Sequence, residues 1–287
     1  MRGHSSSEKW HSRLSRIINS TVCFSLAYIV ITYLYWIIMG MAGKVFGFDS
    51  FVYYYGIKYI LNDRDWTRLS VTFLYSSGSF FSLVFGLMSF ISFHKLKGVK
   101  TLLNVFFLWG FIIGTSIFAS QSLIASLGAG EYQSPFYQNF AVIYAWWYIP
   151  VPVIYLLNIP FLFLFALFAV NYAKPFQLLA FSYSKVNTER RKKRYYVETV
   201  IVPFILGTGI TTTLTFPMNI FAHVIYIMTI AAGLMVGWIS LSYIEISKDD
   251  IIRYPKLQSI SPLFLFLLLV LIFSVYTGWK GINLSVR

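Results

Sequence analysis

The sequence predicts an all-α protein, a polytopic integral membrane helical bundle with about seven transmembrane helices and short interfacial segments. Its mean hydropathy is +0.68 and only 11% of its residues are charged, too few to cover the surface of a soluble globule of 33.1 kDa. The apolar residues fall in long blocks, and a helix needs about 20 of them to cross a hydrocarbon core of about 30 Å. No block alternates apolar and polar residues as a barrel strand does, so helices are the predicted spans.

Seven apolar blocks are long enough, or nearly long enough, to cross a membrane, and six to eight helices fit the pattern. The first block follows a polar segment of residues 1–16 and exceeds the roughly 7 to 15 residues of a signal-peptide core, so we expect a retained helix. Residues 1–287 form a single transmembrane domain in this prediction. The blocks are Ile17–Met41, Ser70–Phe93, Leu102–Leu127, Val153–Ala173, Val200–Phe216, Ile220–Tyr243 and Ile260–Trp279.

The distribution of basic residues predicts the orientation. If residues 1–16 are cytoplasmic, seven helices place residues 94–101, 174–199 and 244–259 on the same side, and these four segments hold 17 of the 23 Lys and Arg residues. Such an excess marks the cytoplasmic side of a membrane protein. We therefore expect the N-terminus in the cytoplasm, the C-terminus outside, and residence in a cell membrane, either plasma or inner.

The basic loop predicted at residues 174–199 carries five consecutive cationic side chains. We expect it to be a solvated loop that contacts anionic lipid headgroups, at about 1 kcal/mol per basic residue. A nucleic-acid partner is excluded because a short loop between two helices offers no folded basic surface. Tyr195 and Tyr196 are predicted to anchor the next helix at the interface. The candidate contact residues are Arg190, Arg191, Lys192, Lys193 and Arg194.

Two further segments are predicted to lie at the membrane interface. The stretch Lys44–Trp66 is rich in aromatic residues and interrupted by Gly47 and Gly56, which is typical of a strand pair or a short helix in the headgroup region. The stretch Gln133–Pro152 carries a Trp-Trp-Tyr run just before two prolines. We interpret it as an interfacial or half-inserted helix.

Polar residues inside the predicted spans are the candidate site residues, because each is costly in hydrocarbon unless it is paired. The stretch "TGITTTLTFP" combines threonines with Gly and Pro and predicts a kinked helix, with a discontinuous helix lining a substrate site as the alternative. Asn158 beside Pro160 predicts an interhelical hydrogen bond at a kink. Glu198 and Glu245, at helix ends, are predicted to be ordinary interfacial charges. The candidate polar cavity comprises Asn158, Thr208, Thr211, Thr212 and His223.

Small residues spaced four apart predict faces on which helix backbones approach closely. The sequence shows no catalytic constellation, metal-ligand set or cofactor motif, and a single Cys23 excludes an internal disulfide and a cysteine-based zinc site. The small-residue faces are Gly78, Ser82 and Gly86 in the second span, Gly110 and Gly114 in the third, and Gly233 and Gly237 in the sixth.

A first helix ending "YWIIMGMAGKVFGF", an aromatic strand-like segment, a second helix "FLYSSGSFFSLVFG" and a later "NIP" occur in an order that resembles the membrane-embedded site-2 zinc metalloproteases. That family carries His-Glu-x-x-His on its first core helix, Gly-Pro on its second, and a later Asn-Pro followed by Leu-Asp-Gly. The resemblance places Tyr35 and Met39 at the zinc-histidine positions and Trp36 at the catalytic glutamate, and none can perform those roles. Gly78 and Ser79 replace Gly-Pro, so the resemblance implies a catalytically dead relative.

Three hypotheses for function follow from the sequence. The first is a non-enzymatic scaffold or assembly component that contacts a membrane-protein partner, or a second copy of itself, through its aromatic interfacial segments. The second is a small-molecule permease in which Asn158, the threonines of the fifth span and His223 converge on a polar cavity. The third is a pseudoprotease that binds membrane substrates, in which Tyr35, Met39 and Asn158 face each other across a cleft edged by residues 45–60.

Overall fold

The structure is a computed structural model, and it is mostly helical, as predicted. Among the residues it describes, six helices are long and apolar enough to cross a membrane, and they match the first six predicted blocks. The seventh block, Ile260–Trp279, lies largely outside the described residues. The described residues are 4–53, 56–60, 65–96, 101–130, 133–180, 182–215, 220–247, 251, 266–267, 269–271, 273 and 281–284.

The described residues form nine α-helices. A 3-10 turn at Tyr183–Lys185 precedes α7, and a π-helical turn at Val197–Ile201 joins α7 to α8. The helices are α1 (His4–Val45), α2 (Arg68–Lys95), α3 (Thr101–Leu127), α4 (Phe140–Trp146), α5 (Val151–Val170), α6 (Ala173–Leu178), α7 (Glu189–Tyr196), α8 (Val202–Thr215) and α9 (Ile220–Ser240).

A small antiparallel sheet lies beyond the C-terminal end of α1. The predicted strand pair is confirmed as a hairpin of β1 (Asp49–Tyr53) and β2 (Gly56–Ile60). A third strand from the far end of the chain, β3 (Ile282–Leu284), pairs with the other side of β1 and was not predicted. The strand order is β2-β1-β3, so β2 is an edge strand of this sheet among the described residues. We call this end of the bundle the hairpin end and the opposite end, which carries α7, the basic end.

Helix α3 is the most enclosed of the six long helices. About three quarters of its apolar stretch, 72%, is buried within the protein, against 17% for the span Val151–Leu178. Close packing on α2 explains part of this burial, because a Cβ added at Gly114 would lie 2.5 Å from the carbonyl oxygen of Ser82 and 2.9 Å from Cα of Gly86. The small-residue faces predicted on the second and third spans therefore meet at Ser82, Gly86 and Gly114, where the two backbones approach closely.

The basic run, predicted to be a solvated loop, is helical instead and forms α7. Two pairs of oppositely charged side chains four residues apart support this helix: Glu189 with Lys193 at 2.6 Å and Arg194 with Glu198 at 3.2 Å. Lys and Arg are also good helix formers. The run therefore extends the helical segment that continues into α8 rather than forming a separate loop.

The irregular turn at Val197–Ile201 has an identifiable cause. Pro203 has no N–H, so the carbonyl of Thr199 lacks its usual helical donor. Ser20 Oγ on α1 donates to that carbonyl at 2.6 Å, and Trp109 Nε1 on α3 donates to Ser20 Oγ at 3.0 Å. The sequence predicts a kink in the threonine-rich part of the fifth span. The irregular backbone lies before that part, at Val197–Ile201, and the threonines belong to the regular helix α8.

Candidate functional site

An open cleft of about 490 Å³ lies at the hairpin end of the bundle. The two predicted interfacial segments supply most of its lining, and α1 and α2 supply the rest. Aromatic side chains dominate, and none of the described lining residues is charged. We call it the aromatic cleft. It is lined by Trp36, Met39, Gly56, Ile57, Tyr59, Trp66, Val71, Tyr75, Tyr137, Gln138, Asn139, Val142 and Trp146.

The rings of the aromatic cleft are held in fixed orientations. Trp66 stands nearly perpendicular to Tyr59, with ring centres 5.7 Å apart, and is stacked on Tyr75 at 6.3 Å. Tyr59 donates a hydrogen bond to the carbonyl oxygen of Met39 at 2.9 Å, which ties β2 to α1. Burial raises the pKa of Tyr59 above its usual value, so its phenol stays neutral and keeps donating. The cleft is therefore a pre-formed, uncharged surface.

A strained residue forms part of the lining. Asn139, the residue before α4, has φ 51° and ψ −116°, a conformation that non-glycine residues rarely adopt. Its side chain is buried and donates from Nδ2 to Gln121 Oε1 of α3 at 2.7 Å. Gln121 Nε2 in turn donates to the hydroxyl of Tyr226 on α9 at 3.0 Å. The cleft is thus linked by a chain of amide hydrogen bonds to the interior of the bundle.

His223 lies in the first turn of α9 and is buried within the protein. Its Nδ1 is 2.6 Å from the hydroxyl of Tyr28 on α1, and its Nε2 is 3.0 Å from Thr212 Oγ1 on α8. A neutral imidazole has one donor and one acceptor nitrogen, so both contacts can be hydrogen bonds. His223 therefore connects α1, α8 and α9 through its two ring nitrogens.

The five residues predicted to form a polar cavity fall into separate groups. Thr212 and His223 are in contact, and Thr211 donates back to the carbonyl oxygen of Thr208. The side chain of Asn158 makes an interhelical hydrogen bond from Nδ2 to Ser126 on α3 at 2.7 Å, as predicted, and accepts one from Tyr144 at 3.4 Å. The described hydrogen bonds therefore do not join Asn158 to the group around His223.

The positions picked out by the protease resemblance lie between α1 and α2. Tyr35 is buried, and its hydroxyl is 3.3 Å from Ser79 Oγ. A Cβ added at Gly78 would lie 2.9 Å from the Tyr35 ring and 3.0 Å from Met39. Trp36 and Met39 line the aromatic cleft. Within the described part of the chain, no group of three or more His, Cys, Asp or Glu residues could hold a metal ion.

The basic end contains a group that the sequence did not indicate. Glu198, predicted to be an ordinary interfacial charge, is buried, with only 9% of its side chain exposed, and three arginines contact it. Arg13 Nε lies 2.9 Å and Arg194 Nε 3.2 Å from Oε1, and Arg16 Nη2 lies 3.4 Å from Oε2. Arg13 and Arg16 belong to α1, so these ion pairs connect the first part of α1 to the π-helical turn that follows α7.

The two tyrosines predicted to be interface anchors are instead buried in the protein. Tyr195 donates to the carbonyl oxygen of Leu179 at 3.2 Å, and Tyr196 donates to that of Leu234 on α9 at 3.2 Å. Their hydroxyls therefore bind neighbouring elements of the bundle, not lipid headgroups.

The sequence predicts a cleft edged by residues 45–60, but not that residues 133–152 form its other wall. Residues 44–66 and 133–152 were each recognised as aromatic and interfacial, but nothing in their local pattern shows that they face each other. Two cues were present: both segments connect helices at the same predicted side of the membrane, and both contain several Trp and Tyr residues. No protein-family model, curated protein or solved structure matches the chain.

Proposed function

We propose that this chain is a non-enzymatic multi-pass membrane protein that assembles with another membrane protein by holding an extended, uncharged segment of that partner in the aromatic cleft. The observation that carries this proposal is the position of edge strand β2, whose residues Gly56, Ile57 and Tyr59 form one wall of the cleft. Ile57 and Tyr59 are two residues apart and so point to the same face of β2, and an occupant of the cleft therefore contacts a strand whose other edge pairs with β1.

An extended segment suits this wall because an edge strand presents unpaired backbone N–H and C=O groups along its length. Strand addition satisfies them, while neighbouring pockets accept alternate side chains of the added segment. Trp36 and Trp146 offer apolar surface of the kind that dominates binding energy at interfaces. The partner would thus be held by backbone hydrogen bonds and recognised by its apolar side chains.

The lack of charge on the described lining selects an uncharged occupant. A charged side chain entering the cleft would lose hydration without finding an ion partner, which is costly. The polar groups of the lining include the amide of Gln138 and the hydroxyl and indole N–H groups of its Tyr and Trp residues, and such groups suit backbone or hydroxyl groups of an occupant. A segment of apolar and small polar residues is therefore the occupant we infer.

We infer that the chain crosses a cell membrane seven times with the basic end in the cytoplasm, so that the cleft lies on the outer side. At the basic end, Ile251 packs against the cluster of buried apolar residues that contains Tyr195. Leu267 contacts the first half of α1, and Phe273 contacts Tyr33 further along α1. The chain then supplies β3 at the hairpin end. These contacts support a seventh passage along α1, and the excess of basic residues at the other end supports the orientation.

Cysteine labelling tests this topology cleanly, because the single Cys23 is fully buried and gives little background. With a membrane-impermeant maleimide on intact cells, Lys58→Cys on β2 is expected to react, and Arg190→Cys on α7 only after permeabilisation. A reporter fused after Arg287 is expected to read outside. The reverse labelling pattern, or a cytoplasmic reporter, would overturn the proposed orientation or the seventh crossing.

Cross-linking tests occupancy of the cleft. A photoreactive amino acid at Ile57 is expected to form an adduct with a partner membrane protein, because Ile57 lies in the wall beside the proposed segment. Gly56→Trp should reduce that adduct at least tenfold, since a Cβ at Gly56 meets no atom within 4 Å and the ring can fill the cleft. Mass spectrometry of the cross-linked peptide should identify a segment without charged residues.

Two controls make this test specific. Gly56→Ala should leave the adduct unchanged, and a probe at Phe163, 66% exposed on α5, should label lipid or diverse proteins instead. An adduct that survives Gly56→Trp, or a cross-linked segment rich in charged residues, would contradict the proposal.

The pseudoprotease hypothesis is the second candidate that a specific observation favours. Trp36 and Met39, at two positions where the resemblance expects catalytic groups, line the cleft, and the hairpin forms its edge. Such a protein would bind a substrate segment in the same cleft without cutting it. The permease hypothesis has less support, because the described contacts bring Thr212 to His223 but leave Asn158 in another group.

A further inference from the structure

The basic end carries an arginine cluster, Arg13, Arg16 and Arg194, arranged around Glu198. We propose that this cluster is a binding site for a phosphomonoester group, presented either by an anionic lipid headgroup or by a soluble phosphate compound. The site is independent of the aromatic cleft and lies at the opposite end of the bundle.

Charge balance supports this assignment. Three guanidinium groups surround one carboxylate, so the formal charge of the cluster is about +2. A phosphomonoester carries a charge of about −1.5 to −2 at pH 7. It would neutralise the cluster, whereas a phosphodiester with a single charge would leave an excess positive charge.

The orientation of the arginines leaves donors available. Arg13 and Arg194 both approach Glu198 through Nε, and the described hydrogen bonds include none from their Nη groups. Their side chains are 43% and 72% exposed, so the Nη groups can reach a ligand. A guanidinium presents parallel N–H groups that fit two oxygens of one phosphate, which gives short, charge-assisted hydrogen bonds.

The cluster is also held in place before any ligand binds. The Arg16 guanidinium lies 5.7 Å from the centre of the Tyr195 ring, and Glu198 belongs to the π-helical turn that Ser20 fastens to α1. A ligand therefore needs to order few additional side chains, which favours affinity. The cluster lies just before Ile17, where the apolar part of α1 begins, so it is at headgroup depth if the helices cross a membrane.

Native mass spectrometry of the full-length protein in detergent tests the site with short-chain phosphatidic acid as probe. Short-chain phosphatidylglycerol and phosphatidylcholine serve as the diester comparisons. Wild type is expected to bind phosphatidic acid at least tenfold more tightly than either. The double variant Arg13→Gln, Arg194→Gln should weaken binding about 100-fold, roughly tenfold for each charge-assisted contact removed.

A matched double variant separates a defined site from general attraction. Lys174→Gln, Lys185→Gln removes the same charge from exposed positions at the basic end and should change affinity less than about threefold, because isolated exposed charges contribute little. If both double variants weaken binding equally, or if wild type does not prefer phosphatidic acid, the proposal fails. Arg13→Lys, Arg194→Lys keeps the charge and guards against misfolding; it should still lose about tenfold, because ammonium groups cannot form the paired contacts.

Competition distinguishes the two sources of phosphate. Displacement of phosphatidic acid by millimolar inorganic phosphate supports a site that recognises the phosphate group itself. Persistent lipid binding in excess phosphate, with the same dependence on Arg13 and Arg194, supports a lipid headgroup as the ligand. Binding that persists and does not depend on these arginines overturns the site.

Discussion

Gly114→Ala is expected to lower the free energy of unfolding by about 2 to 3 kcal/mol, the upper part of the range for overpacking in a closely packed interior. The added Cβ would lie 2.5 Å from the carbonyl oxygen of Ser82 and 2.9 Å from backbone atoms of Gly86. These neighbours are backbone, not the ends of flexible side chains, so the strain is relieved only if α2 and α3 move apart. The loss should be read from the melting temperature, or the denaturant midpoint, of the detergent-solubilised protein.

Gly209→Ala is the matched control for this substitution. It also replaces a glycine inside a long helix, but a Cβ at Gly209 meets no atom within 4 Å. Because Ala is the better helix former, by up to about 1 kcal/mol, stability should stay the same or rise. A Gly114→Ala protein as stable as wild type would show that α2 and α3 are not packed as closely as the structure has them. A shared loss in both variants would point to a general effect of replacing helical glycines.

The close contact of Gly114 with α2 illustrates which features of the fold the sequence predicts. Gly110 and Gly114 repeat at four residues within an apolar block, and such a repeat fixes a small-residue face on one side of a helix before any partner is known. The apolar blocks predicted the six long helices for a similar reason, because span length depends on local composition alone. The strand pair in the segment 44–66 was one of two predicted alternatives, since aromatic residues bounded by glycines are typical of strands.

The features that were missed depend on contacts between distant parts of the chain. Arg16 and Glu198 are 182 residues apart, and nothing near Glu198 indicates that two arginines of α1 will surround it. β3 has only three residues and pairs with a strand more than 200 positions earlier, so its local pattern is too short to be recognised. The aromatic cleft likewise needs two segments to face each other. Local patterns predicted the elements, whereas tertiary contacts determined both candidate sites.

Glu198→Gln should lower the free energy of unfolding by about 2 kcal/mol. The substitution keeps the size of the side chain but leaves the charges of Arg13, Arg16 and Arg194 close together without their common counter-ion. Removing one partner of a fully buried ion pair costs about 3 to 5 kcal/mol, and an exposed pair contributes under about 1 kcal/mol. We expect an intermediate loss because the carboxylate is buried while the arginines are partly hydrated.

Salt dependence and a second glutamate distinguish this effect from a general loss of charge. The remaining arginines repel one another, so 1 M salt should recover part of the stability of the Glu198→Gln protein by screening that repulsion. Glu189→Gln removes the same charge from an exposed position of α7, where the carboxylate pairs with Lys193, and should change the melting temperature little. If the two variants lost the same stability, the anchoring of α1 by Glu198 would be wrong. If only Glu198→Gln were destabilised and salt restored it, the start of α1 would be held to the bundle chiefly by this buried carboxylate.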